Sequence, residues 1–282
     1  MKKGFSIKIS EQNVDVKSFI SEDYDNLYLK TASFDFLFEG VLLNRKKLLN
    51  EFALKDFETL IGELYFLKKE NIIKEFEGEF RGFIFDKVQQ KLFVFTNATS
   101  TQRVFYGEFK GEIFIDSSLI RFNETLKNSG IKTKPNLESI YQFLCFSNLP
   151  ENKTPIEGIA KIFDGHYLEI DCNKWTISEK QYFDLSKIST FSRTKDAAID
   201  KIHEVFRDSI LLEYQKDTEL GKNHLALLSG GLDSRVAMMY AIQEKVKPEN
   251  ALCFSQSGYF DHTISEKIAE DFDVHYEFIA LD

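Results

Sequence analysis

Apolar positions follow two textures along the chain. Early on they alternate or cluster in short segments rich in Phe, Ile and Val: FSIKIS (5–10), LYLKTASFDFLFEGVLL (27–43), FRGFIFDKV (80–88) and KLFVFTNAT (91–99). A period of two in β-branched and aromatic residues predicts strands. Segments 80–88 and 91–99 predict a hairpin about the polar residues between them, and RVFYGEFKGEIFIDS (103–117) predicts another about Lys110-Gly111. Helical spacing occupies 45–54, 56–69 and a stretch near 117–127, while NLESIYQFLCFS (136–147) adds an Asn cap to a helical run. The acidic run KKENIIKEFEGEFRG (68–82) reads as a solvated helix face entering a strand. Together these elements predict an α+β layered domain.

The second texture begins near 194. TKDAAIDKIHEVFRDSILLEYQKD sets Ala198, Ile199, Ile202, Val205, Phe206, Ile210 and Leu211 at a helical period. A strand (about 223–228), a Ser-Gly-Gly-Leu-Asp-Ser corner, a helix (234–244), a strand (250–255), a helix (about 261–271) and a strand (273–280) follow. That order predicts the beginning of an α/β doubly wound parallel sheet, partial at three strands. The boundary is expected in SKISTFSRTKD (186–196), giving one domain over 1–188 and a second over 194–282.

Composition narrows the classes. With 282 residues, 43% hydrophobic and 29% charged, the chain reads as a soluble two-domain protein. A net charge of −9 argues against nucleic acid, because phosphate contacts need clustered Lys and Arg. It leaves room for a small anionic ligand, which responds to local field. No apolar run approaches the roughly 20 residues of a membrane span, so no membrane partner and a cytoplasmic location are expected. Cys145, Cys172 and Cys253 show no metal spacing, and the five histidines read as structural.

The chemistry concentrates at the glycine corner. A helix N-terminus offers unbonded N–H groups and the positive end of a dipole to phosphate. Gly230 and Gly231 would let the backbone turn tightly and approach a ligand. Ser229 and Ser234 can donate to phosphate oxygens, and Ser234 can also cap the helix. Asp233 would repel a bare polyphosphate, so its natural role there is to hold Mg²⁺. The lysine of the G-x-x-x-x-G-K-[ST] loop is absent, which argues against γ-phosphoryl transfer. The competing reading is an ordinary glycine turn with a capping Asp or Ser.

SGGLDS at 229–234, after an apolar strand, resembles the pyrophosphate loop of ATP pyrophosphatases, a group holding asparagine synthases, GMP synthetases, NAD synthetases and tRNA-modifying enzymes. FEGVLLNRKKL (38–48), FEGEFRGFIFDKVQQKLFVFTN (76–97) and RVFYGEFKGEIFIDSSLIRF (103–122) resemble the glutamine amidotransferase-like domain of asparagine synthases. TPIEGIAKIFDGHYLEID (154–171) and KQYFDL (180–185) resemble the segment joining that domain to the synthetase domain, here 135–188. FSQSGYFDHTISEKIAEDFDVHYEFIAL (254–281) resembles the synthetase's next strand and helix. The chain is therefore similar to the asparagine synthase family. The resemblance implies an Ntn-hydrolase-like αββα domain followed by the start of a pyrophosphate-loop domain. It implies that Ser229, Gly230, Gly231, Asp233 and Ser234 hold the pyrophosphate of ATP and its Mg²⁺. Leu227 would pack on the adenine, Gln256 or Ser257 would contact base or ribose, and Asp261 matches an acidic position opening the next helix. The implied partners are ATP, a carboxylate substrate and an amine or ammonia.

Two departures shape the expectation. The family's glutaminase uses an N-terminal cysteine, whereas this chain opens Met1-Lys2-Lys3 and its first cysteine is Cys145. Thr96 and Asn97 stand where the family commonly carries an Arg-Asp pair, and Ser100 stands at a glycine. No catalytic nucleophile is identified, and glutamine hydrolysis is not expected. The chain also stops at Asp282, before the family's later acidic motif, so a fragment, a truncated frame or a split protein is expected. The expected protein partner is a second copy of the chain, as a homodimer, or a partner supplying the C-terminal half. The reading is an asparagine synthase-like, AMP-forming amide ligase. The alternatives are a non-catalytic homologue that binds nucleotide or a partner protein, a ligase like β-lactam synthetases and lasso-peptide cyclases, and another pyrophosphate-loop enzyme acting on tRNA or peptide.

Overall fold

Alternation makes the first strand: in β1 (Phe5–Ser10) the side chains of Phe5, Ile7 and Ile9 are buried while Ser6, Lys8 and Ser10 are partly exposed. The computed structural model describes residues 3–11, 13–187 and 194–282, so residues 188–193 of the expected boundary segment, and Met1 and Lys2, lie outside the described residues. The chain divides into two units, 1–188 and 189–282.

The first unit holds β1, β2 (Asn13–Ser18), β3 (Leu27–Lys30), β4 (Phe34–Leu42), α1 (Arg45–Glu51), α2 (Phe57–Lys68), β5 (Gly78–Asp86) and β6 (Lys91–Thr96). It continues with β7 (Phe105–Phe109), β8 (Glu112–Asp116), α3 (Leu119–Asn128), α4 (Leu137–Phe146), β9 (Ala160–Lys161), β10 (His166–Asp171) and β11 (Thr176–Gln181). One antiparallel sheet runs β2-β1-β8-β7-β9 and the other β11-β10-β6-β5-β4-β3. Phe5, Ile7, Ile9, Ile113 and Ile115 of the first meet Leu37, Phe83, Leu92, Val94, Leu168 and Ile170 of the second in one buried cluster. The far face of the six-stranded sheet, including Phe36, Phe38, Phe80 and Phe95, packs on α1 and α2. Phe114, on the far face of the other sheet, packs on Phe122 and Leu126 of α3. The layers therefore run helix, sheet, sheet, helix.

Both expected hairpins form. The β7–β8 turn is two residues, Lys110 at φ 53 and Gly111 at φ 72, the left-handed pair that matches strand twist. At the β5–β6 turn Asp86 Oδ1 accepts from the N–H groups of Val88 (2.9 Å) and Gln89 (2.8 Å). The structure departs from the sequence expectation in three places. Strand β2 was not expected; its apolar face is only two valines, Val14 and Val16, which pack on the cluster between the sheets. The 135–188 segment does more than join domains: β9 pairs with β7, β10 with β6, and β11 with β10. The acidic run 68–82 buries Ile72, Ile73 and Phe76 against α2 and the sheet, so it seals the core rather than presenting only a solvated face.

A half-buried polar tie links the sheets. Arg81 of β5 pairs with Glu39 (2.7 Å) and donates to the carbonyls of Arg103 (2.9 Å) and Ser117 (2.7 Å). Beside it Arg121 pairs with Asp116 at 2.7 Å. Burial pushes the Asp116 carboxyl up from 3.8 to about 6, and the lowering contributions of Arg121 and of the Ser118 N–H only partly oppose it. A carboxyl raised on folding makes the folded state hold its proton longer than the unfolded chain. Its contribution is then most favourable below about pH 4 and is lost as pH rises through about 6. Asp116→Asn should flatten the fall of the first unit's urea midpoint between those pH values; an unaltered slope would refute this.

The second unit comprises α5 (Lys195–Glu219), β12 (Leu225–Leu227), α6 (Leu232–Gln243), β13 (Asn250–Ser255), α7 (Phe260–Asp271) and β14 (His275–Ala280). Thr194 caps α5 by accepting from the Ala197 N–H. The strands form a parallel sheet in the order β12-β13-β14, registered Ala226 to Ala251 and Ala251 to Tyr276. Leu228, Met238, Ala251, Ala269 and Val274 form the core between the sheet and its helices. Among the described residues no helix is long and apolar enough to cross a membrane.

Candidate functional site

Parallel strands place successive loops at one edge, the edge where open α/β sheets take their ligands. Here that edge gathers the residues after β12, β13 and β14. The expected site residues Ser229, Gly230, Gly231, Asp233 and Ser234 form the first loop and the opening turn of α6, and Gln256 and Ser257 follow β13. Leu227 is the last residue of β12, with an exposed side chain on the sheet face that bears Phe254.

The loop is closed on itself by its hydroxyls. The Ser229 N–H donates to Ser234 Oγ (3.0 Å), the two serine hydroxyls lie 2.9 Å apart, and the Gly231 N–H donates to Ser229 Oγ (3.2 Å). Ser234 does not cap α6 as the sequence suggested. It stands inside the first turn, and the capping residue is Gly231, which has no side chain to offer the helix N–H groups. The first-turn N–H groups, which have no acceptor within a helix, thus receive none from a capping side chain. Asp233 stands exposed in that turn and has no hydrogen-bond or ion-pair partner among the described residues.

The glycines serve a purpose other than the one expected. Neither Gly230 nor Gly231 takes a left-handed φ. A Cβ on Gly230 would stand 2.7 Å from the Phe260 carbonyl oxygen and 3.1 Å from Asp261 Cα. Gly230 therefore makes room for the start of α7. The Gly230 N–H also donates to Asp261 Oδ1 at 2.8 Å.

Two participants were missed by sequence reasoning. Arg235 donates from Nε to the Gly231 carbonyl (3.1 Å), which sets a fixed cation beside the loop; its position directly after SGGLDS was the available signal. Asp282 accepts from the Ser257 N–H (2.8 Å) and hydroxyl (2.6 Å), bonds that hold its carboxyl below the usual range. Nothing in the pattern distinguished it from other exposed aspartates. Among the described residues no group of three or more His, Cys, Asp or Glu side chains could hold a metal. A divalent ion here would rest on one carboxylate and on phosphate oxygens brought by a ligand, a donor set that suits Mg²⁺.

Thr96 and Asn97, the residues expected at the family's Arg-Asp pair, lie in the first unit, at the end of β6. Thr96 Oγ1 and Ser100 Oγ are 3.0 Å apart, Asn97 Nδ2 donates to Thr99 Oγ1 (3.1 Å), and Thr101 Oγ1 donates to Asn97 Oδ1 (3.1 Å). The turn satisfies its own polar groups.

Residues 28–183 match the family model described as a glutamine amidotransferase domain. Over 193 residues the chain is 26% identical to asparagine synthetase [glutamine-hydrolyzing] 2 of Bacillus subtilis (strain 168), a match covering 66% of this chain and 25% of that protein. The chain thus spans about a quarter of the length of that curated relative. Among solved structures, the glutamine phosphoribosylpyrophosphate amidotransferase from B. subtilis, complexed with ADP and GMP, superposes with TM-score 0.41 and 8% identity over 98% of this chain and 59% of that one. A structure described as the allosteric regulatory enzyme of purine biosynthesis gives TM-score 0.42 and 9% identity over the same shares.

Proposed function

This chain belongs to the glutamine amidotransferase domain family, and from that premise we propose that it is part of an asparagine synthase-like, ATP-dependent amide ligase whose nucleotide binds at the loop Ser229–Ser234. The observation carrying this reading is the α6 N-terminus, left without a capping side chain at the ligand edge of a parallel sheet, with the unpartnered Asp233 beside it. The first-turn N–H groups and the serine hydroxyls would hold the pyrophosphate portion of ATP. Leu227 offers an apolar surface to the adenine, and Gln256 or Ser257 lies at the adjacent strand end for base or ribose. Asp233 would hold Mg²⁺, which when bound neutralises charge on the departing pyrophosphate.

The reaction is carboxylate activation. A substrate carboxylate oxygen attacks the α-phosphorus, the bond to the β-phosphate bridging oxygen breaks, and pyrophosphate leaves an acyl-adenylate. An amine or ammonia then adds to the acyl carbon and AMP departs. The self-satisfied turn at Thr96, Asn97 and Ser100 supports an amidotransferase-like unit that serves as scaffold rather than as a glutaminase.

Calorimetric titration of the full chain with Mg·ATP tests the proposal. Saturable binding is expected, and Asp233→Ala should weaken it about tenfold, the size of one lost charge-assisted contact. Where exchange of pyrophosphate into ATP is measurable with a carboxylate present, ammonium but not glutamine should carry the product forward. Absence of any saturable heat with Mg·ATP would sink the reading.

A further inference from the structure

We propose that Asp261 is a positioning residue for the nucleotide loop: its carboxylate holds the Gly230 N–H and so fixes the direction in which the neighbouring N–H groups of α6 point. This deepens, and rests on, the loop reading above.

Three observations converge on it. The Gly230 N–H reaches Asp261 Oδ1 at 2.8 Å, a bond between residues 31 positions apart. The missing Cβ of Gly230 lets the loop backbone lie directly on the Phe260 carbonyl and Asp261 Cα, so loop and helix start are pressed together main chain to main chain. The main chain of Asp261 is itself anchored, because its carbonyl accepts from Cys253 Sγ and from Ser265 Oγ, and Ser265 Oγ in turn lies 2.7 Å from Tyr276 OH on β14. The carboxylate therefore extends from a fixed base in β13, α7 and β14 to the loop after β12. Rigid placement of donors before a ligand arrives reduces the ordering that binding would otherwise require.

A carboxylate beside a phosphate site is electrostatically unfavourable, so attraction for the ligand does not account for Asp261 there, whereas its bond to the Gly230 N–H does. Asparagine separates geometry from charge. Its Oδ1 still accepts from the Gly230 N–H, whereas alanine offers no acceptor.

The experiment has a ligand-free arm and a binding arm. Without ligand, hydrogen exchange at the Gly230 amide should quicken in Asp261→Ala by about tenfold, while Asp261→Asn exchanges within about threefold of the parent. In calorimetry Asp261→Ala should bind Mg·ATP about tenfold more weakly, Asp261→Asn should fall within threefold of the parent, and the half-saturating Mg²⁺ concentration should not move in either. Circular dichroism and a thermal midpoint establish that both variants are folded. Asp261→Asn as weak as alanine would make the carboxylate a metal holder, and Asp261→Asn tighter than the parent would make it a competitor of the ligand. Either outcome overturns positioning, as does an Asp261→Ala variant that exchanges and binds like the parent. If the parent itself does not bind Mg·ATP, the nucleotide reading fails and the exchange arm alone decides whether Asp261 holds the loop.

Discussion

Phe83→Ala is expected to cost the first unit about 4 kcal/mol of stability, within the range for truncating a buried aromatic. Phe83 lies on β5 with no exposure, its ring 5.5 Å edge-on from Phe5 of the opposing sheet and 6.0 Å from Tyr28. Two features keep the cavity from closing. The residue projects between two hydrogen-bonded sheets, whose backbones cannot collapse independently into the gap. Its ladder partners Leu37 and Val94 are themselves fully buried and packed in the same cluster, so neither is free to move into the space. The sole tryptophan, Trp175, packs against the same cluster, so its fluorescence during urea unfolding reports this unit and not the other. Val88→Ala, at a side chain 78% exposed, is the control and should change stability by less than about 0.5 kcal/mol. A loss below about 1 kcal/mol for Phe83→Ala would mean that the sheets do not pack across this residue.

The inner faces were legible because alternation is a local property. Phe5, Ile7 and Ile9 announce a strand without knowledge of its partner, and Lys110-Gly111 announces a turn by its backbone demand alone. Strand pairing is not local. HYLEID bears Glu169 and Asp171 on one face and TISEKQ bears Glu179 and Lys180 on opposite faces, and β10 lies inside the sheet because β6 offers a partner some 70 residues earlier, through pairs such as Leu168 to Val94. The loop divided in the same way. Its position between a parallel strand and a helix followed from periodicity, whereas the helix begins at Leu232, two residues before the expected start, and so takes Asp233 into its first turn. The long-range contacts at this edge come from outside the motif: Asp261 reaches Gly230 from the start of α7, and Asp282 reaches Ser257 from beyond β14. An exposed aspartate in a surface turn carries no mark of the amide it will meet.

Gly230→Ala and Gly231→Ala, adjacent and chemically identical changes, should differ sharply. At Gly230 the new methyl meets main-chain atoms: the Phe260 carbonyl oxygen at 2.7 Å, its carbon at 3.0 Å and Asp261 Cα at 3.1 Å. None of these can rotate aside, so either α7 moves away or the loop does, at a cost of about 2 kcal/mol by comparison with other overpacked sites. At Gly231 the methyl meets only Ser229 Oγ at 3.2 Å, a hydroxyl that can turn, and the backbone there, φ −69 and ψ 156, suits any residue. Gly231→Ala should stay within about 0.5 kcal/mol. Hydrogen exchange of the α6 and α7 amides resolves the two, because it reads the second unit without interference from the first. Faster exchange in α7 for Gly230→Ala alone is the expected pattern. Equal effects at both positions would mean that turn flexibility, and not the proximity of α7, requires the paired glycines. The asymmetry also bears on the nucleotide reading. If Gly230 is needed for the fit of α7, its presence says little about a ligand, and the weight of that reading moves to the uncapped helix start and to Asp233.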